Sequence, residues 1–204
     1  MSAAVQPDSF EFTPENMAEV KKYIARYPAG RQASAILPLL DLAQRQCDGW
    51  LPRVALEHVG EILDMALIRI YEIATFYEMY NLEPVGAHMV RVCTTTPCQL
   101  CGASGILDAC RDELGVEVGG TSADGKFTLK EFECLGACVN APIVWIDDDY
   151  YEDLDTDRIR DILKRFRAGE TPKPGPQTGR QNSAPSSGAT TLKDVGGPNE
   201  VGGE

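Results

Sequence analysis

Apolar residues recur at helical spacing through the first ~85 residues and alternate in short runs after that. Met17, Val20 and Ile24 fall on one face of a helix that Thr13-Pro14-Glu15 would start, with a capping hydroxyl, a first-turn proline and a first-turn acid in order. Tyr27-Pro28-Ala29-Gly30 stops it. A second helix carries Ile36, Leu37, Leu39 and Leu40, with Pro38 in or near its first turn, and runs to about Gln46. Past the Asp48-Gly49 turn, a third helix begins near Pro52 with Val54, Val59, Ile62 and Leu63, and a fourth covers Ala66 to Tyr80. The pattern predicts a small helical bundle over 1–84.

Beyond Asn81-Leu82-Glu83-Pro84 the period changes. His88 to Cys93 alternates like a strand, Cys98 to about Leu114 reads as a helix with Leu100, Ala103, Ile106, Leu107 and Cys110 apolar, and Phe127 to Cys134 alternates again. Pro142 to Asp147 and Tyr150-Tyr151 then predict a hairpin around Asp148-Asp149. A last helix, capped by Asp155 or Thr156, buries Ile159, Ile162, Leu163 and Phe166. These elements predict an α+β chain whose sheet domain spans 85–170. From Gly169 onward 13 of 36 residues are Gly or Pro, and only Leu192, Val195 and Val201 could anchor anything apolar. The expectation for 171–204 is a disordered, extended tail that orders on meeting a partner.

Composition narrows the function. A formal net charge of −12 removes the basic footprint that nucleic acid or an anionic membrane surface requires, so a protein partner is expected. No apolar run approaches the roughly 20 residues of a membrane span, and the start MSAAVQPDSFEF has no signal-peptide pattern. This predicts a bacterial cytoplasmic protein, or one on the matrix side in a mature organellar form. Seven cysteines in such a compartment point to metal or redox chemistry rather than disulfides.

The cysteine pattern is Cys93-x4-Cys98 followed by Cys134-x3-Cys138, each pair placed where a predicted strand gives way to a loop. Two loops at one sheet edge could present four thiolates to an iron-sulfur cluster, with amides from Leu135-Gly136-Ala137 and Gly102 available to the sulfurs. A rival set, Cys93-x4-Cys98-x2-Cys101 with Cys134, copies the plant-type ferredoxin spacing. Cys98 and Cys101 alone could form a reactive dithiol at a helix start, and the two cysteine pairs could hold a structural zinc. Cys47 and Cys110 read as buried packing residues, and His58 and His88 as structural. Asp147-Asp148-Asp149 reads as a solvated turn. Tyr71, Phe76, Tyr77 and Tyr80 read as a core or partner-facing stripe. There is no GxGxxG, Walker loop or nucleophile-base pair, so no catalytic residue is assigned.

The blocks VCTTTPCQLCG, FECLGACVNAP, DDDYYEDL and KPGPQTGR, with YEIATFYEMY upstream, resemble the family of small 2Fe-2S subunits of NADH:quinone oxidoreductase, respiratory complex I. The resemblance covers roughly residues 10 to 180. It implies a thioredoxin-like ferredoxin domain after the helical region, with one 2Fe-2S cluster on Cys93, Cys98, Cys134 and Cys138. It also implies docking on a flavin subunit that binds NADH and FMN, and on neighbouring peripheral-arm subunits. The equivalent diaphorase subunit of an NAD-linked hydrogenase or formate dehydrogenase would share those ligands. Cys101 departs from the family, where Arg is frequent, and the tail after about Arg180 has no clear family pattern. That tail reads as an assembly strap.

Overall fold

The computed structural model describes residues 6–185 together with 187, 188 and 191. Two compact units divide it, one running to Ala87 and including Ala123–Gly125, the other comprising His88–Ser122 and the described residues from Lys126 onward.

Four helices build the first unit: α1 (Pro14–Ala25), α2 (Ile36–Gln46), α3 (Arg53–Leu63) and α4 (Leu67–Phe76). Thr13 caps α1 by accepting from the Asn16 amide (3.2 Å), and Pro14 opens it. Phe12, Val20, Leu39, Leu40, Leu56, Val59 and Ile70 close the core. His58 packs its ring against Phe10 and Phe12, each 5.6 Å away, in the structural role expected of it. The fourth helix is shorter than its periodicity predicts. It ends at Phe76, and the chain turns so that Tyr80 enters the core and donates its hydroxyl to the Leu37 carbonyl (2.8 Å). The expected aromatic stripe is therefore split, with Tyr80 buried and Phe76 and Tyr77 exposed.

The second unit is a five-stranded mixed sheet of order β2-β1-β3-β4-β5, with β1 (His88–Cys93), β2 (Phe127–Phe132), β3 (Val144–Ile146), β4 (Asp149–Glu152) and β5 (Gly175–Pro176). β1 runs parallel to β2 and antiparallel to β3, and β3–β4 is the predicted hairpin. Between β1 and β2 come α5 (Thr96–Leu100) and α6 (Ala103–Leu114); α7 (Thr156–Arg167) follows the hairpin, capped by Asp155. Alternation sends Val90, Val92, Phe127, Leu129, Val144, Ile146 and Tyr151 to one face, where α6 and α7 cover them. Arg91 goes to the other face and stacks its guanidinium 4.0 Å over Trp145. Among the described residues no helix is long and apolar enough to cross a membrane.

Two expectations shift. The hairpin turns at Asp147-Asp148, one residue earlier than predicted, because Asp147 takes positive φ (53°) and its carboxylate accepts from the Met89 amide (3.0 Å) and contacts His88 Nδ1 (2.7 Å). The Gly/Pro-rich segment after 170 is extended, as its composition predicts, yet through 184 it is tied to the sheet. Its β5 pairs with β4 in parallel, Tyr151 donates its hydroxyl to the Pro172 carbonyl (3.0 Å), and the Gln177 amide donates to Glu152 O (3.0 Å). Polar bonds anchor it where apolar residues are lacking. The tail positions 186, 189, 190 and 192–204, including Leu192, Val195 and Val201, lie outside the described residues.

Candidate metal centre

The end of β1 and the helix after it supply the first two thiols. β1 stops at Cys93, Thr94-Thr95 turns the chain, and Pro97 in the first turn of α5 precedes Cys98. Both thiols are buried, in a small cluster with Ala103 and Ile143. The single helix expected from Cys98 to Leu114 is broken here. Gly102 adopts φ +97°, so α5 ends after one turn and α6 starts in a new direction. Cys101 closes α5 and is exposed rather than lying in a first helical turn, and the Gly102 amide is used on the Gln99 carbonyl (3.1 Å), not on a sulfur.

The second pair follows β2. Cys134 lies two residues past Phe132, Gly136 takes φ +79°, and a single 3-10 turn, Cys138–Asn140, brings Cys138 back. The Cys134 and Cys138 sulfurs lie 3.5 Å apart, close to the roughly 3.8 Å expected of two thiolates ~2.3 Å from one tetrahedral ion. Cys93 and Cys98 share one buried cluster. Thr95 links the pairs, its hydroxyl 3.3 Å from the Cys93 sulfur and also bonded to Cys134.

Backbone amides favour the charged form of three of the thiols: Thr95 and Leu135 at Cys93, Ile143 at Cys98, and Gly136 at Cys134. Burial raises Cys93, but the Thr95 hydroxyl and the amides outweigh it and hold the thiol below its ordinary range. Burial, then the bond to Cys93 and its charge, pushes Cys98 up to about 12. The Gly136 amide, then Cys138 and Thr95, lowers Cys134, while the bond to Cys134 raises Cys138. In each pair one thiol is thus lowered and its partner raised. Four thiolates would repel one another, and a bound cation offsets that repulsion with its own charge while displacing the protons of the thiols it binds.

The donor set is sulfur only, which favours soft metals, and the inward amides suit a sulfur-rich group of negative charge. Among the described residues no three of His, Cys, Asp and Glu converge on one ion. Two pairs are what a binuclear cluster asks for.

The structure brings Cys93, Cys98, Cys134 and Cys138 to the ends of β1 and β2, and leaves Cys101 exposed at the end of α5. Cys110 sits fully buried in α6, its thiol pushed by burial up to about 12, and Cys47 packs in the first unit, raised to about 11 by burial and then Asp48. Both fit the packing role. Sequence reasoning missed Thr95, Ile143 and Tyr150, whose ring packs on the cysteine cluster and whose phenol is raised by burial and then by Cys134 and Cys93. Only the Thr94-Thr95-Thr96 run between two cysteines could have signalled any of them. The exposed side chains of Leu100 and Val139 flank the two pairs.

A family model described as thioredoxin-like [2Fe-2S] ferredoxin matches residues 20–167. The chain is 47% identical over 183 residues to NADH dehydrogenase [ubiquinone] flavoprotein 2, mitochondrial, of Dictyostelium discoideum, spanning 90% of this chain and 74% of that one. It is 52% identical over 159 residues to a subunit of the NADH-quinone oxidoreductase of Rickettsia conorii, spanning 78% of this chain and 95% of the relative. Among solved structures, an NAD+-reducing [NiFe]-hydrogenase in the air-oxidized state aligns with a TM-score of 0.55 at 19% identity, over 64% of this chain and 23% of that one. That likeness is one of fold.

Proposed function

This chain belongs to the thioredoxin-like [2Fe-2S] ferredoxin family, and we propose that it holds one [2Fe-2S] cluster on Cys93, Cys98, Cys134 and Cys138 as the small electron-transfer subunit of an NADH:quinone oxidoreductase. It exchanges one electron with the FMN of a partner subunit that binds NADH. The oxidoreductase activity belongs to the assembly, and this chain is its electron carrier. Its place is peripheral, with attachment to the membrane made through partner subunits.

One observation carries the reading: two cysteine pairs from different loops meet at one edge of the sheet, bridged by Thr95 and ringed by backbone amides. The bound cluster supplies one-electron chemistry at a potential set by hydrogen bonds to sulfur and by exposure. The amides of Thr95, Leu135, Gly136 and Ile143 would stabilise negative charge on the thiolates holding the cluster. Ala103, Ile143 and Tyr150 keep water from the Cys93–Cys98 side. Cys134 and Cys138 are exposed, so a cluster held there would be reachable by a redox partner on that side, where Val139, next to Cys138, offers exposed apolar surface.

The test is iron and acid-labile sulfide per chain in anaerobically purified protein, with Cys138→Ser and Cys101→Ser beside it. About two irons and two sulfides are expected, lost with Cys138→Ser and kept with Cys101→Ser. The opposite pattern would transfer the site to the plant-type set, and zinc or no metal would end the cluster reading. Co-purification of the native protein with an NADH-oxidising flavoprotein and a quinone-reducing membrane arm, rather than with a hydrogenase or formate dehydrogenase, identifies the assembly.

A further inference from the structure

The loop that carries Cys134 and Cys138 has little structure of its own. Between Phe132 and Val144 no strand or α-helix forms, and the turn that places Cys138 is closed by two backbone bonds, Asn140 N to Ala137 O (2.9 Å) and Ala141 N to Cys138 O (3.3 Å). Both sulfurs are exposed. A ligand loop this lightly built would let Cys138 swing away, so whatever fixes it must come from outside it.

That support comes from more than 40 residues downstream. Arg180 directs its guanidinium at both carboxylate oxygens of Asp153, with Nε 2.6 Å from Oδ2 and an η nitrogen on Oδ1. The same η nitrogen donates to the carbonyl of Val139, the residue after Cys138, at 3.0 Å. A second η nitrogen reaches the Ala184 carbonyl (3.3 Å), and Thr178 Oγ1 adds a bond to Asp153 (3.0 Å). The ion pair is shielded, the Arg180 and Asp153 side chains being only 13% and 12% exposed.

Asp153 is itself held firmly. It occupies the corner between β4 and α7 with φ +54°, and its amide donates to the Asn140 carbonyl at 2.7 Å. Asn140 is buried and its side-chain amide donates to Glu152 and to the Asn182 carbonyl (3.2 Å). The carbonyls of Val139 and Asn140 are therefore taken by Arg180 and by the Asp153 amide. The turn behind Cys138 is pinned on consecutive peptides, once by the sheet corner and once by the strap.

We propose that Arg180 is a positioning residue for the metal centre: by bridging Asp153 to the Val139 carbonyl it fixes the peptide next to Cys138 and so sets that thiolate's place in the ligand set. The inference rests on the ligand assignment above. The planar fork of Arg does this because it spans a carboxylate and a carbonyl at once; a Lys ammonium at the same position keeps the charge opposite Asp153 but not the second reach. The segment that composition marks as a loose tail is, through Arg180, part of the site.

The experiment uses the full chain carrying its cluster, with Arg180→Ala, Arg180→Lys and, as a strap control outside the bonds that Arg180 makes, Tyr151→Phe. Iron and sulfide are counted first, with Cys138→Ser alongside. Iron-free wild type, or a Cys138→Ser protein that keeps a full cluster, overturns the ligand assignment and this inference with it. Given a loaded protein, two readouts follow: the rate at which an iron chelator bleaches the cluster, and the electron paramagnetic resonance spectrum of the reduced form. Arg180→Ala and Arg180→Lys are both expected to load the cluster, to lose it about 10-fold faster, the low end for removing an outer partner of a ligand, and to shift the spectrum. Tyr151→Phe should keep the wild-type rate and spectrum. Wild-type behaviour in Arg180→Ala refutes the role. Full rescue by Arg180→Lys, or equal labilisation in Tyr151→Phe, would reduce Arg180 to a generic anchor of the strap and refute it as well.

Discussion

Replacing Tyr151 by Phe removes one oxygen atom and tests whether the segment after residue 170 belongs to the fold. Tyr151 is fully buried on the covered face of the sheet, and its hydroxyl donates to the Pro172 carbonyl at 3.0 Å, also inside the protein. The ring's packing against α7, 5.9 Å from the Phe166 ring, is unchanged by the substitution. What is lost is a neutral hydrogen bond of about 1 kcal/mol net, plus part of the ~1–3 kcal/mol cost of leaving a buried carbonyl unpaired. The expected loss is about 1.5 kcal/mol, or ~3–6 °C in Tm for a chain of this size. Urea unfolding should move the midpoint with little change in slope. The sign is diagnostic when the same substitution is made in a chain ending at Glu170, where the hydroxyl has no carbonyl to meet. There Tyr151→Phe should be neutral or slightly stabilising, giving a coupling of about 1.5 kcal/mol between the hydroxyl and the strap. Equal costs in the two backgrounds, or a loss below about 0.5 kcal/mol in the full chain, would mean that the strap does not dock as described.

Three further outcomes follow from single positions. Gly102→Ala meets no neighbouring atom, yet at φ +97° a Cβ is strained, so urea titration should show about 1–2 kcal/mol of destabilisation, and an unchanged midpoint would deny the break between α5 and α6. Arg91→Leu removes a guanidinium stacked 4.0 Å over Trp145 and a buried Nε that has no partner; losing a desolvated cation–π contact of about 2 kcal/mol while relieving that unpaired donor should leave stability within about 1 kcal/mol of wild type, and a loss above ~3 kcal/mol would show that this balance is wrong. In native, cluster-loaded protein, alkylation near pH 8 followed by peptide mass spectrometry should mark exposed Cys101 first and leave Cys47 and Cys110, raised to about 11 and about 12, unmodified until unfolding. Early modification of Cys110 would contradict its burial in α6.

Wherever a few neighbouring residues settle the local structure, the sequence was legible. Thr13 and Asp155 both cap as their side chains suggest, each accepting from an amide three residues on, and β1 starts and stops where alternation of His88 to Cys93 does. Two of the misplaced boundaries share one physical origin, a distant partner that chooses between local options of similar energy. Three consecutive aspartates can each take the turn, and His88 with the Met89 amide, nearly 60 residues away, selects Asp147. The helical pattern of α4 could continue to Tyr80, but a carbonyl 43 residues upstream draws that hydroxyl into the core. Gly102 is tolerated in a helix and equally suited to break one.

The candidate site divides along the same line. Cysteine spacing marked out the thiols that the fold places beyond the ends of β1 and β2, because strand ends and loops are local features, and it left Cys101 beside Cys138 as a rival ligand. What spacing does not show is how the chain leaves α5, where a five-residue helix and Gly102 leave Cys101 at the exposed end of the helix while Cys98 turns inward to Cys93. Thr95 was invisible for a different reason, since a hydroxyl matters here only when two loops from separate strands bring Cys93 and Cys134 to either side of it. The strap was misjudged because its composition was weighed for apolar burial. A segment poor in apolar residues cannot drive its own ordering, yet the exposed edge of β4 offers it unpaired backbone groups, and Asp153 at the corner of the sheet offers a carboxylate. Once the sheet exists, Tyr151, Glu152 and Asp153 form a ready-made track, and the tail orders along it by hydrogen bonds that need no hydrophobic core of its own.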